Sequence, residues 1–298
     1  MNIVITGANG QLGRCLQDKL AQRSGATYTA LTSSQLDITD RRAVQALLAK
    51  LDPDVVINAA AYTAVDAAED EPDLARSVNA EGVSHLAEAC AQRSIPMIHV
   101  STDYVFDGEA SQAYLPDSET NPTGVYGLSK LEGEQMGQEM LPEIVIVRTA
   151  WVYSEYGANF LKTMLRLSES RDEVGVVDDQ IGCPTYAGNI AEALLAIADQ
   201  VEAGSEHWGV YHYVDDTEMS WHAFAEQVFA KAKAHQLIEK SMTVNAISTS
   251  EFPTKTKRPP YSVLSTASLQ RDFGVTQGVL TDALDTVMTQ LNKGPASN

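Results

Sequence analysis

Apolar residues along the chain follow two periods. Thr27–Leu31 reads as a short strand, and runs such as Asn2–Thr6, Asp54–Asn58, Met97–Ser101 and Ile144–Arg148 are apolar almost throughout. That is the pattern of strands buried on both faces of a parallel sheet. Between the runs, apolar positions recur at helical spacing. Leu12, Leu16 and Leu20 make one stripe, and Val44, Leu47, Leu48 and Leu51 another, stopped by Pro53. Leu74, Val78, Leu86 and Cys90 predict a long helix with all four facing inward, and Ile190, Leu194, Ile197 and Val201 a further one. Strands alternating with helices predict an α/β fold, a doubly wound parallel Rossmann sheet whose ligands lie at the carboxyl ends of the strands.

The expected division places a dinucleotide-binding domain at 1–150, completed by about 186–215, where Val210–Val214 reads as a late strand. Residues 151–185 and 216–298 then form a smaller α/β substrate-binding lobe at the C-terminal side. Ser220 is suited to cap a helix bearing Trp221, Phe224, Val228 and Phe229, all read as core. Leu280, Leu284, Val287 and Leu291 predict a closing amphipathic helix, followed by a loose tail after Asn292.

Composition narrows the class. The 298 residues are 44% hydrophobic and 20% charged, an ordinary globular mix, with a net charge of −19. That charge argues against nucleic acid or an anionic membrane as partner, because phosphates need clustered Lys and Arg. Cys15, Cys90 and Cys183 are scattered and suggest neither a disulfide framework nor a metal site, and the six histidines lack ligand spacing. No apolar run approaches the roughly 20 residues of a membrane span, and Met1 runs straight into a strand without a signal peptide. A reducing cytoplasm is the expected setting.

Candidate chemistry begins at Gly7, Gly10 and Gly13, a glycine turn between the first strand and the first helix. Glycines there permit close backbone approach, and the helix start can hold a pyrophosphate. After the second strand the chain reads Thr32-Ser33-Ser34, without the acid that would hold a ribose 2′-hydroxyl. Hydroxyls suit a 2′-phosphate, with Arg14 or Arg41 as further candidates, so NADPH is favoured and NADH is usable. Asp37 reads equally as a turn residue and as an acceptor for an adenine amino group, with Ile38 packing on the ring. Ala59, Ala60 and Ala61 end the third strand, where small residues admit a flat ligand or answer a packing need. Ser101, Thr102 and Asp103 end the fourth, and an aperiodic loop to Val125 follows. Tyr126 and Lys130 are four apart and stack on one helix face, where an ammonium could lower the phenol's pKa toward the range useful for acid–base catalysis. The plain alternative is an exposed tyrosine above a solvated lysine.

Taken together, these motifs resemble the extended short-chain dehydrogenase/reductases. Asn58–Asp66 (NAAAYTAVD), Ser101–Gly108 (STDYVFDG), Tyr126-Gly-x-x-Lys130, Arg148-Thr-x-Trp-Val-Tyr153, Asn159-Phe160 and Asp179-Gln-x-Gly-x-Pro-Thr185 are similar to the dTDP-4-dehydrorhamnose reductases among them. The likeness covers nearly the whole chain and thins after about Phe229, where Arg258-Pro259 and Ser262 still match. It implies the last step of dTDP-L-rhamnose synthesis, which feeds cell-surface polysaccharide: NADPH-dependent reduction of a 4-keto nucleotide sugar. Tyr126 would donate a proton to the C4 oxygen, Lys130 would hold the nicotinamide ribose and lower the tyrosine pKa, and Thr102 would bond the reacting oxygen. Gly10, Gln11, Leu12, Asp37, Ile38, Ala61, Tyr62, Thr63 and Val100 would line the cofactor site. Tyr62 stands where some relatives carry a histidine. Asp103 and Trp151 would touch the sugar nucleotide, with Asn159, Phe160, Gln180 and Thr185 as further candidates.

Arg258, with Lys255 and Lys257, reads either as a diphosphate contact or as a solvated loop. Sister 4,6-dehydratases carry Thr-Asp-Glu, whereas here Asp103 is followed by Tyr104, so the second carboxylate that eliminates water is missing. An epimerase, or a reductase of another 4-keto sugar, is the enzymatic alternative, and a non-catalytic NADP-binding subunit the alternative of another class. The resemblance also implies a homodimer. Some relatives hold a divalent ion such as magnesium through glutamates, but Glu192, Asp282 and Asp285 form no motif here, so no metal site is expected.

Overall fold

The computed structural model describes residues 1–294; the tail at 295–298 lies outside the described residues. In chain order the first elements are β1 (Asn2–Thr6), α1 (Gln11–Ala21), β2 (Thr27–Leu31), α2 (Arg41–Leu51), β3 (Val55–Asn58), α3 (Val65–Ala68), α4 (Pro72–Arg76), a π turn (Ser77–Glu81) and α5 (Gly82–Ala91). Then come β4 (Met97–Thr102), a 3₁₀ turn (Asp103–Val105), α6 (Val125–Met140), β5 (Ile144–Thr149), β6 (Val152–Tyr153), α7 (Phe160–Ser168), β7 (Glu173–Val177), β8 (Ile181–Gly182), β9 (Thr185–Tyr186) and α8 (Ala187–Glu202). The chain closes with β10 (Gly209–His212), β11 (Met219–Ser220), α9 (Trp221–Ala234), β12 (Thr243–Ile247), a 3₁₀ turn (Thr249–Glu251), α10 (Ala267–Phe273) and α11 (Leu280–Asn292).

Six strands form one parallel sheet in the order β10-β5-β4-β3-β1-β2. Their side chains alternate between two cores, as the period of two requires. Ile3, Ile5, Val55 and Ile57 pack with α1 and α8 on one face, while Val4 and Val56 pack with α2 and α5 on the other. Local signals agree with these elements. Asp40 caps α2 by accepting from the N–H groups of Arg42 and Ala43, and Ser220 caps α9 through Ala223 N–H. The polypeptide beyond β5 builds a third core in which Phe224, Val228, Leu284 and Val287 meet Leu161 and Val174. Among the described residues no helix is long and apolar enough to cross a membrane.

The expected long helix through Leu74 and Cys90 is interrupted. The π turn breaks its phase, and Leu74 is 47% exposed instead of facing inward. The turn itself is pinned from two sides. Asn79 accepts from Tyr62 N–H and donates to Tyr62 carbonyl and to Ser129 Oγ. Gly133 of α6 lies so close that a Cβ would sit 2.0 Å from Asn79 carbonyl oxygen. Absence of a side chain at 133 therefore lets α6 press on the π turn, which sets the height of Lys130 one turn earlier and of Tyr126 two turns earlier.

Candidate active site

A cleft of about 740 Å³ opens along the carboxyl ends of β1, β3, β4 and β5. Its floor is the glycine turn. Gly7 has φ +74°, and a Cβ there would lie 2.5 Å from the Ala59 carbonyl oxygen, so glycine is required on both counts. No side chain caps α1 at Gly10, which leaves the leading N–H groups for an anionic ligand. Gly7, Gly10, Gln11 and Leu12 line the cleft, as does Asn9, which the motif reading passed over. Gly13 is packed behind the turn: a Cβ would stand 2.2 Å from Gly7 carbonyl oxygen. Gln11 reaches across to the second lobe, its Oε1 accepting from Ser154 Oγ (2.9 Å) and Asn159 Nδ2 (2.8 Å).

The far end of the cleft is lined by Thr32, Ser33, Asp37 and Ile38. Asp37 is a turn residue that also borders the cleft. Its Oδ1 closes an Asx turn on Thr39 N–H and hydroxyl (2.9 and 2.7 Å), and its exposed carboxylate still borders the cleft. Neither candidate arginine reaches here. Arg41 is paired with Glu88, and Arg14 lies over the Tyr156 ring. Ala61, Thr63 and Val100 line the middle of the cleft. Tyr62 is not among its walls; the phenol turns away to Glu71.

Thr102, Tyr126 and Lys130 stand together on one wall. Lys130 is 2% exposed and sends Nζ to Val100 carbonyl (2.8 Å), with His99 Nε2 at 3.3 Å. Burial lowers its pKa to about 8, against the opposing pull of Glu134. The expected lowering of the tyrosine by the lysine is not what the geometry gives. Burial pushes the Tyr126 phenol well above its ordinary value, and only the Thr102 side chain acts against the rise. Tyr126 thus keeps its proton at neutral pH, the state a proton donor needs. Asp103 is buried beside it, its carboxyl pushed up to about 6 by burial, with Oδ1 accepting from Thr102 and Oδ2 without a partner.

A buried ion pair holds this wall to the sheet. Glu134, one turn beyond Lys130, takes Arg148 of β5 in a fork (2.9 and 2.6 Å) and also accepts from Ser101 Oγ. Both partners are nearly inaccessible, at 4% and 2%. Arg148 and Ser101 stand in the matching motifs without a partner assigned to them, and nothing in the sequence pattern marked Glu134.

The remaining candidates divide. Asp103, Trp151 and Asn159 border the cleft. Trp151 follows β5 in a left-handed conformation (φ +49°), a strained placement for a large residue, and stacks on Trp221 with centroids 3.5 Å apart. Trp221, read as core, is half-buried and forms the second leaf of this stack. Phe160, Gln180, Thr185 and Arg258 stand outside the cleft walls. Phe160 packs against Trp221 and Phe224, Gln180 donates to Thr249, and Thr185 donates to Cys183 carbonyl. Arg258 is engaged by Asp66 (2.6 Å) and the Tyr104 hydroxyl (3.0 Å), and Lys255 and Lys257 pair with Asp70 and Glu109. The basic cluster is therefore neutralised within the chain. Among the described residues no cluster of His, Cys, Asp and Glu could hold a metal ion; Glu192 is paired with Lys19, and Asp285 with Lys231 and His235.

A doubly wound sheet, an uncapped glycine turn and a Thr-Tyr-Lys wall define an extended short-chain dehydrogenase/reductase. Comparison with known proteins narrows the class. A family model described as RmlD substrate binding domain matches residues 1–293, and the chain belongs to that family, the dTDP-4-dehydrorhamnose reductases. It is 46% identical over 274 residues to the dTDP-4-dehydrorhamnose reductase of Aggregatibacter actinomycetemcomitans, covering 92% of this chain and 93% of the relative. The crystal structure of a dTDP-4-dehydrorhamnose reductase from Clostridium acetobutylicum superimposes with a TM-score of 0.91 at 38% identity, covering 98% of this chain and 100% of that one. That of the Bacillus anthracis enzyme, in complex with NADP, gives 0.88 at 36% identity, covering 97% and 99%.

Proposed function

We propose that this chain reduces the C4 keto group of dTDP-4-dehydro-L-rhamnose to dTDP-L-rhamnose with NADPH, and accepts NADH. The observation that carries the reading is the convergence of Thr102, Tyr126 and Lys130 on the cleft that the uncapped start of α1 opens into. The residues fit a dinucleotide: N–H groups for the pyrophosphate, hydroxyls of Thr32 and Ser33 near a 2′-phosphate, and the Asp37 edge for adenine. The bound cofactor supplies the hydride. Tyr126 gives its proton to the C4 oxygen as negative charge develops there, the Thr102 hydroxyl turns from Asp103 to donate a hydrogen bond to the same oxygen, and Lys130 holds the nicotinamide ribose. Asp103, Trp151 and Asn159 bind and orient the sugar nucleotide. Arg258 acts at one remove, fixing Tyr104 and Asp66 at the rim.

The absence of a second carboxylate at position 104 supports reduction over elimination, since Tyr104 offers Arg258 a phenol where a dehydratase would have its acid. Three buried free cysteines suit a reducing cytoplasm, and a homodimer is proposed from the family resemblance. The test is direct. Purified protein mixed with NADPH and dTDP-4-dehydro-L-rhamnose should consume the reduced cofactor's absorbance, and more slowly with NADH. Consumption only with a different 4-keto nucleotide sugar would correct the substrate; none with any would overturn the assignment.

A further inference from the structure

A buried chain of hydrogen bonds runs behind the catalytic wall. Thr6 of β1 donates its hydroxyl to Asn58 Oδ1 of β3 at 2.6 Å. Asn58 Nδ2 lies 3.0 Å from His99 Nδ1 of β4, and His99 Nε2 lies 3.3 Å from Lys130 Nζ. Thr6, Asn58, His99 and Lys130 are each at most 2% exposed.

One backbone group sets the direction of the chain. Ala60 N–H can only donate, and it sits 3.1 Å from the Asn58 side chain, so the atom facing it is the amide oxygen. The Asn58 NH₂ then faces the imidazole, and His99 Nδ1 must accept. A neutral imidazole with Nδ1 accepting carries its proton on Nε2. The group presented to Lys130 is therefore an N–H donor. An ammonium has no lone pair to receive it, whereas an amine has one.

We propose that His99, oriented by Asn58, is a positioning residue that favours the amine form of Lys130, so that Lys130 gains and loses a proton in the working range of the enzyme instead of standing as a permanent cation. Its catalytic consequence rests on the reductase reading above; its proton chemistry does not. The surrounding charges allow it. Glu134 favours the ammonium but is tied to Arg148. Tyr126 keeps its proton, Asp103 and Tyr104 lie past the end of β4, Arg76 at the end of α4 pairs with Glu81 of the π turn and Glu132 of α6, and Glu69 accepts from Val125 N–H at the start of α6. Burial and the neighbouring lysine hold the His99 imidazole well below its usual value, so it stays neutral.

Nitrogen-15 spectra of histidine-labelled protein without nucleotide read the tautomer, with His99 assigned by its loss in His99→Asn. The expected form has a protonated Nε2 and an unprotonated Nδ1; a protonated Nδ1 overturns the proposal whether or not His99→Gln folds. In carbon-13 lysine-labelled protein, Lys130 is assigned by its loss in Lys130→Met and its titration followed in His99→Gln. The glutamine carbonyl can accept where Nε2 donates, so the Lys130 midpoint should rise by about one pH unit, a tenfold gain in proton affinity. An unchanged or lower midpoint overturns it. In the reduction assay the alkaline limb of kcat should move up by the same amount in this variant, with the KM for NADPH little changed; a limb that stays put overturns the link to catalysis. A chain that reduces no nucleotide sugar would sink the reductase reading and leave both spectra interpretable.

Discussion

Turnover falls by about 10²–10⁴-fold in Tyr126→Phe while NADPH binding, followed by cofactor fluorescence, is kept. The substitution removes one oxygen and leaves the packing. The Tyr126 ring meets Tyr104 edge to face with centroids 5.4 Å apart and sits among Ala68 and Ala75, contacts that phenylalanine repeats. What is lost is the proton that burial keeps on the phenol and the partner of the Thr102 side chain. The neighbouring Tyr104 phenol also keeps its proton beside Thr102, but Arg258 engages its hydroxyl, so it is a poor substitute donor. Near-native turnover would mean that the proton reaches C4 oxygen by another route.

The second large effect is on stability. Glu134→Ala leaves Arg148 buried without its carboxylate, and removing one member of a buried pair costs about 3–5 kcal/mol. A denaturant titration should show the midpoint falling accordingly. Pairing Glu134→Leu with Arg148→Met removes both charges and should recover most of the loss, because a buried ion pair is often no better than apolar residues of similar volume. The same double variant should still lose activity. Arg148 and Ser101 tie α6 to β5 and β4 through Glu134, and that tie holds Tyr126 and Lys130 against Thr102. Full activity with restored stability would show that α6 is held in place by its other contacts.

Much of the frame was legible in the sequence, for identifiable reasons. Central strands such as Val55–Asn58 are buried on both faces, so they print as continuous apolar runs. The turn at Gly7 and the Tyr126/Lys130 pair carry chemistry at fixed local spacing, which a linear reading detects. The misreadings share a cause as well. Leu74 fits an inward stripe only if the helix keeps one period, and the π turn at Ser77–Glu81 shifts the phase. Arg258 read as either a diphosphate contact or part of a solvated loop, because its partner Asp66 is 192 residues away. His99 had no ligand spacing, since its partners come from β3 and α6 and meet only when parallel strands align. The tyrosine pKa was expected to fall from a four-residue spacing, but burial, which spacing does not report, sends it upward. Gln180 and Thr185 lie in a matching motif yet satisfy their hydrogen bonds within the second lobe.

Transfer of label from cofactor to sugar bears most directly on the proposed reaction. The protein is incubated with dTDP-4-dehydro-L-rhamnose and NADPH deuterated at the transferable position, and the product is read by mass spectrometry. One carbon-bound deuterium at C4 of the sugar for each NADP⁺ formed is the predicted result. Product without the label, or a converted sugar with the cofactor still reduced as an epimerase would leave it, contradicts the assignment.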